Sequence, residues 1–417
     1  MITRTCSYLF LCLLPLSIYG FTGPISLQTA DQSFMEGDFG SAKQSYQAVF
    51  KKDRNSIHAT LRLGQIALLS NRLPEAERFL KRTLVLEPGN KDAKRFLVEA
   101  YVRGHKFALA AQIDRELGLP GKAAQMESLA QTVPYQIAKD FHEVHIPFVL
   151  TDPLPVIQVQ LDGTDPLNFF IDTGGSDIIL DPAIAQKAGV ITFGSTTGTF
   201  AGGKQAELVR GQLGALALES LTIRNIPVLI QSTRRYSAIF QGKPIDGIIG
   251  TVFLSQFLST IDYANAELVL RRRSAKPMSK DNAFVLPIWL AQDHLILTKG
   301  TVNNSPPVLM LVDTGLAGMG ITASKALLDA AGVHIAETKM EGLGGGGAVQ
   351  AQPFTADRVS LGPVTRTDIS GVFGVFPASL ENVDGLHIAA LISHQFFRQS
   401  ALTLDFERMQ LRLAERH

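Results

Sequence analysis

Two short triplets carry the residues best suited to chemistry, Asp172-Thr173-Gly174 and Asp313-Thr314-Gly315, 141 residues apart. Each follows an apolar run of the kind that forms a buried strand, Phe169-Phe170-Ile171 before the first and Leu309-Met310-Leu311-Val312 before the second. A glycine just after the acid permits a tight turn and lets backbone N–H groups approach the carboxylate. One such triplet recurs by chance, whereas two with matching flanks are a pattern. Were the turns to meet, carboxyls about 3 Å apart could not both ionise easily and would share one proton. The ionised member could then take a proton from a water while the protonated member donates to a carbonyl oxygen. That is hydrolysis without a metal, a cofactor or a covalent intermediate.

The flanks extend the pattern into a duplication. "IILDPAIAQKAGV" follows the first Asp and "GITASKALLDAAGV" the second. Glycine-rich turns come next, at Ala201-Gly202-Gly203 and at Gly342 to Gly347. Then come "GIIGTVFLSQFLSTIDYANAELVL" and "ALISHQFFRQSALTLDFERMQLRL". Gly250 lies 78 residues after Asp172, its counterpart Ser393 lies 80 after Asp313, and Asp262 and Asp405 each lie 12 further on. The chain therefore holds two copies of one β-unit, rich in short strands and glycine turns.

The pairing of D-T-G with a later hydrophobic-hydrophobic-Gly stretch resembles the aspartic proteases. The unit size resembles the retropepsins, while two units in one chain resemble the pepsin-like enzymes. The resemblance covers about 145–417. It implies that Asp172 and Asp313 are the catalytic pair, that Thr173 and Thr314 hydrogen-bond across the lobe interface, and that Gly174 and Gly315 complete the two turns. It also implies flaps over the cleft, with Gly202 and Gly203 as tip candidates in lobe 1 and Gly344 and Gly345 in lobe 2. A phosphate cradle at "GLGGGG" would need a following helix and a lysine, and "AVQAQPF" follows instead. Phe200 is the nearest aromatic to the tyrosine of pepsin-like flaps. Ser393 stands where the family pattern has glycine, which puts the packing behind Asp313 in question.

Ahead of these lobes lies a second repeat. Ala42, Ala76 and Ala110 are spaced 34 apart, and in the clearest unit Asn71 and Pro74 break two helical stretches ended by Pro88-Gly89-Asn90. This resembles tetratricopeptide repeats, whose period is 34. Three units are expected, at about 23–56, 57–90 and 91–124. Such an array offers a concave face to a peptide or protein partner, or simply packs on the next domain. The expected architecture is multidomain: an all-α solenoid over 23–130, a linker at 131–144, and a mainly-β bilobal acid-protease fold with lobes at 145–275 and 283–417.

Residues 1–22, with Arg4, an apolar run from Tyr8 to Ile18 and small Gly20, read as a signal peptide. Export to a periplasm or the exterior is expected, the alternative being an uncleaved membrane anchor. The only cysteines, Cys6 and Cys12, lie in this segment, which excludes a disulfide framework from the rest. Hydrophobic residues at 46% allow a large core, and a net charge of +1 gives no prior for nucleic acid. His142-Glu143-x-His145 has the wrong spacing for a helical zinc pair, and no metal is expected. Trp289 is expected in the core of the second lobe. The leading reading is an exported aspartic endopeptidase acting on polypeptides; a catalytically inactive peptide binder and a repeat scaffold are the alternatives. Pepsin-like members carry a hydroxyl directly after D-T-G, where this chain has Gly175 and Leu316. A missing donor to the charged form raises a carboxyl pKa. The pH–rate profile is therefore expected to peak in the mildly acidic range, and a peak at about pH 2–3 would contradict the reading.

Overall fold

The computed structural model describes residues 26–162, 164–276, 283–292 and 294–415. The signal-like segment 1–22 lies outside the described residues. Seven helices come first: α1 Leu27–Met35, α2 Phe39–Lys52, α3 Ile57–Leu69, α4 Leu73–Leu86, α5 Lys91–Arg103, α6 Phe107–Glu116 and α7 Pro120–Ala130. They pair α1/α2, α3/α4 and α5/α6, with α7 beyond, so the last residues of the third expected unit belong to α7.

Local chemistry explains where each pair begins and turns. Ser26, Ser56 and Asn90 cap α1, α3 and α5, accepting from Thr29, Ala59 and Ala93 N–H at 3.1, 3.4 and 2.8 Å. Within each pair the first helix ends on a residue with positive φ: Gly37 (72°), Asn71 (54°) and His105 (56°). The N–H of the next residue reaches back over the turn, Asp38 to Ser33 O, Arg72 to Ala67 O and Lys106 to Tyr101 O, at 2.8, 2.8 and 2.7 Å. Ala42, Ala76 and Ala110 are all fully buried, where small side chains let the paired helices approach. At Gly64 an added Cβ would lie 2.8 Å from the Leu80 side chain.

The rest is mainly β. In each lobe the strand before D-T-G is central. Leu167–Ile171 lies between Val156–Leu161, antiparallel, and Gly247–Ile249, parallel. Val308–Val312 lies between Leu295–Val302, antiparallel, and Ile388–Ile392, parallel. These strands are hydrophobic on both faces, as strands covered on both sides must be. A shared antiparallel sheet joins the lobes, in the order Ala283–Pro287, Gln410–Glu415, Ser400–Asp405, Phe257–Asp262, Glu267–Arg272, Glu143–Leu150. At its middle Thr260 pairs with its own duplicate, Thr403, and their hydroxyls meet at 2.8 Å. Asp262 and Asp405 close the turns after the two central strands, accepting from Asn265 and Arg408 N–H at 3.0 and 2.9 Å. The 131–144 stretch is not free chain, because Gln136–Ile137 pairs with Arg224 and Ile223 and the next strand opens at Glu143.

The solenoid is wrapped against both lobes. Helices α1, α3 and α5 face lobe 2. His387 N–H donates to Met35 O at 3.0 Å, Arg62 and Gln65 donate to Asp384 O at 2.9 and 2.8 Å, and Arg95 pairs with the Asp384 carboxylate at 2.7 Å. An apolar cluster runs across this junction from Phe34, Phe39 and Leu63 to Leu309, Leu311 and Ile388. Helix α7 is held by lobe 1, Gln125 donating to Gly211 O at 2.8 Å and Ser128 bonding Gln212 at 2.7 Å. Trp289, expected in the core of the second lobe, is half-buried and packs edge-on against Phe39 of α2 at 5.0 Å. The sequence shows that a tryptophan is apolar but not which body covers it. Phe39 is 5% exposed. Phe39→Ala is expected to destabilise the chain by about 3 kcal/mol through the cavity left at the junction, measured as a lower urea midpoint at unchanged slope.

Candidate active site

The two D-T-G turns meet at the lobe interface, and the threonines hold them there. Thr173 N–H donates to Thr314 Oγ1 at 3.1 Å, and Thr314 N–H donates to Thr173 Oγ1 at 3.0 Å. Each hydroxyl then donates into the opposite lobe's strand, Thr173 to Val312 O at 2.9 Å and Thr314 to Ile171 O at 3.2 Å. Both threonines are fully buried, so these groups have no water to turn to. Thr251 adds a further bond from its hydroxyl to Thr173 O at 2.7 Å.

The carboxyls are interleaved with the glycines. Gly174 N–H donates to Asp172 Oδ1 at 2.9 Å and Gly315 N–H to Asp313 Oδ1 at 2.7 Å. A Cβ on Gly174 would fall 2.3 Å from Asp313 Oδ2, and one on Gly315 would fall 2.3 Å from Asp172 Oδ1. Each turn glycine is thus covered by the other lobe's carboxyl, and the two carboxyls hydrogen-bond each other. Both residues keep some solvent contact at the cleft floor while protein closely surrounds their carboxyls. Burial pushes both carboxyl pKa values up. Asp313 rises well above the ordinary range, because the charge of Asp172 adds to burial. Asp172 rises less, since the bond from Asp313 and the N–H groups of Gly174 and Gly175 favour its ionised form. The pair therefore holds one proton between its two carboxyls above the ordinary carboxyl range.

Ser393 resolves the question its sequence raised. A Cβ on Gly250 would sit 2.1 Å from Ser176 O, so lobe 1 needs glycine there. The second turn is two residues longer, its next strand beginning at Ile321, eight residues after Asp313, against Ile178, six after Asp172. The longer turn admits the serine side chain, whose Oγ accepts from Leu316 N–H at 3.1 Å. Leu316 supplies no hydroxyl and packs near Val349 and Ala351 of strand Gly347–Leu361.

Both glycine-rich turns are hairpin tips. Gly202 and Gly203 lie between strands Ile191–Thr199 and Gln205–Leu218, with φ of 67° and 71°. Gly344 ends strand Met340–Gly344, and Gly345 begins the turn into Gly347–Leu361. The tips cross: Gly202 N–H donates to Val375 O of lobe 2 at 2.9 Å, and Gly345 O accepts from Gln231 of lobe 1 at 2.9 Å and from Arg235. Phe200 lies flush against Gly345, where a Cβ would meet its ring at 2.0 Å. Phe200, Leu343 and Ala317 join Phe170 and Tyr236 in one apolar cluster. Tyr236 escaped the sequence reading because it lies on a short helical turn far from either triplet. It packs edge-on against Phe170 at 5.6 Å, within the field of Asp172. His145, noted in the sequence for its spacing, joins an ion cluster on the inter-lobe sheet, between Glu143 at 2.6 Å and Glu267 at 3.0 Å.

Two β-lobes, each ending a central strand in D-T-G and joined at a threonine-locked interface, define the aspartic-protease architecture. Residues 157–253 and 298–386 match the aspartyl protease family, and residues 33–85 match the tetratricopeptide repeat family. The helical part thus carries the tetratricopeptide match, and the two lobes carry the two aspartyl-protease matches. No curated protein matches it.

A folded-state pKa raised above about 3.9 means that the native state binds the proton more tightly than the unfolded chain. The resulting stabilisation is complete below that ordinary value and is lost as pH rises through the raised one. Asp313→Asn removes the loss. Near neutral pH this variant is expected to melt higher than the native protein, with the difference shrinking as the solution is acidified. A constant difference between pH 4 and 7 would contradict the raised carboxyl.

Proposed function

We propose that the protein is an aspartic endopeptidase that cuts polypeptides in the cleft between its two lobes. The observation that carries this reading is the reciprocal cover of Gly174 by the Asp313 carboxyl and of Gly315 by the Asp172 carboxyl. That closeness is what one bridging water requires. Asp172, the more readily ionised, takes a proton from the water, whose oxygen attacks the scissile carbonyl carbon. Asp313 donates its proton to the carbonyl oxygen. The tetrahedral adduct collapses when the amide nitrogen is protonated and the C–N bond breaks, and the pair returns to one shared proton. The protonation steps belong to the pair as a unit.

The crossed flap tips support a cleft that must open for entry and close for reaction, which excludes water from the adduct. The solenoid is read as a brace that fixes the lobes in register, since α1, α3 and α5 turn toward lobe 2 and α7 toward lobe 1. Its helices α2, α4 and α6 leave an outer face for a protein partner.

An unfolded protein offered at mildly acidic pH is expected to be cut by the native chain and left intact by both Asp172→Asn and Asp313→Asn, with losses of at least about 10³-fold. Turnover retained in either variant would rule out the paired carboxyls. Tight peptide binding by the native chain with no cleavage at any pH would favour an inactive peptide binder.

A further inference from the structure

A cavity of about 320 Å³ opens where the solenoid, lobe 1 and lobe 2 come together. Its size falls within the range of small-ligand sites, about 300–1,000 Å³. On one side it reaches Ser176 and Asp177, the residues that follow the turn of Asp172, and Thr196 and Thr197 of the first flap. Its apolar wall includes Leu208 and Leu229, which belong to the same cluster as Phe170 and Phe200 near the flap. On the other side it is bounded by α5, α6 and α7, through Val102, Phe107 and Met126. The cavity thus lies between the residues that follow the first D-T-G turn and the helices of the repeats.

The charged groups that line it are mostly cations. Arg273 lines the cavity half-buried and forms no hydrogen bond or ion pair with the described residues. The acids whose charges reach it are Glu407 and Asp405, and Asp405 is already held by Arg408 at 2.9 Å. Arg210 bonds the neutral Gln125 at 3.2 Å and has no carboxylate partner among the described residues. The hydroxyl of Tyr135 is buried with no partner among the described residues. Lys122 adds a further cation, beside Asp114 at 3.6 Å. Among the described lining residues the only carboxylate is Asp177. Burial of a guanidinium without an anion is costly, and burial indeed weakens the hold of Arg273 on its proton. An orphaned phenol and two guanidiniums lacking carboxylates match an anionic occupant, and a polypeptide substrate supplies anions as carboxylates.

We propose that this chamber is the distal end of the substrate cleft and receives an acidic segment of the polypeptide, its carboxylates met by Arg273, Arg210 and the Tyr135 hydroxyl. The inference rests on the endopeptidase reading for the direction of the chain through the cleft. It gives the repeats a part in specificity, as the wall that closes the chamber.

The test uses the full chain and matched peptides that differ only in carrying Glu, Gln or Lys within four residues on either side of the cut, assayed near pH 6, where Glu is ionised. The kcat/KM for the Glu peptide is expected to exceed that for the Lys peptide by about tenfold or more on one side of the cut. That ratio should collapse in Arg273→Gln and in Arg210→Gln, and invert in Arg273→Glu, with thermal melts confirming that each variant folds. Cleavage with no charge preference, or a preference unchanged by these variants, overturns the chamber and leaves the endopeptidase reading standing. A parallel arm measures fluorescence anisotropy of a labelled Glu-rich peptide on Asp313→Asn. If no peptide is cut but this binding occurs and is lost on adding Arg273→Gln, the chamber stands and the hydrolase reading falls. Displacement of the peptide by inorganic phosphate at equal concentration would show a general anion site and overturn the assignment to an acidic polypeptide.

Discussion

Two acidic side chains pressed against each other, half-buried at a lobe interface, repel when both are charged, and the rest of the molecule keeps them together. The repulsion is relieved by one proton retained at the pair, at the expense of raised carboxyl pKa values. The geometry is over-determined. Each carboxyl leans on the opposite glycine, each threonine donates into the opposite strand, and the two central strands of the shared sheet meet at Thr260 and Thr403. Loosening one lobe from the other would separate the carboxyls and release the proton together. That coupling is why the interface is built from directional hydrogen bonds between buried groups rather than from apolar packing alone.

The pairing descends from a duplicated unit whose copies have since diverged. In lobe 1 the turn after Asp172 is short, and Ser176 O crowds Gly250 so closely that no side chain fits. In lobe 2 the turn is two residues longer, and the hydroxyl of Ser393 fills the space and caps the backbone. The same job, bracing the turn behind the carboxyl, is done in one lobe by close backbone contact and in the other by a side chain. The hairpin tips diverge similarly, a glycine pair with positive φ in one lobe and a glycine-rich tip in the other, yet each tip is fastened by the opposite lobe.

The helical repeats form a third body around the lobes. Tetratricopeptide units commonly leave their inner face free, but here α1, α3 and α5 pack on lobe 2, where Phe34, Phe39 and Leu63 share a core with Leu309 and Ile388. Helix α7 crosses to lobe 1. The solenoid is thus attached to both lobes, by hydrogen bonds and a shared apolar cluster on lobe 2 and by hydrogen bonds from α7 on lobe 1.

The pair of triplets, the duplication and the 34-residue period were legible because each is a local signal: an apolar run, an acid and a glycine in sequence, or an alanine returning on schedule. A finer signal of the same kind is the match of Gly37 and His105 to Asn71 as positive-φ residues at the helix break, hidden because glycine, asparagine and histidine share a backbone preference and little else. Ser393 looked like a defect because the two extra residues that accommodate it lie 70 or more positions away. Trp289 packs on the solenoid as well as within its own lobe, Arg273 showed only as the end of a basic run, and Tyr236 and Arg210 carried no mark at all. Sequence alone determined which elements form and which acids end them, because short-range patterning of apolar and turn residues decides local structure. Which surfaces meet was decided only in the folded chain, because shape and burial between distant segments have no local trace. The crossing of the hairpin tips, the docking of the solenoid and the cavity between repeats and lobes are all of that second kind.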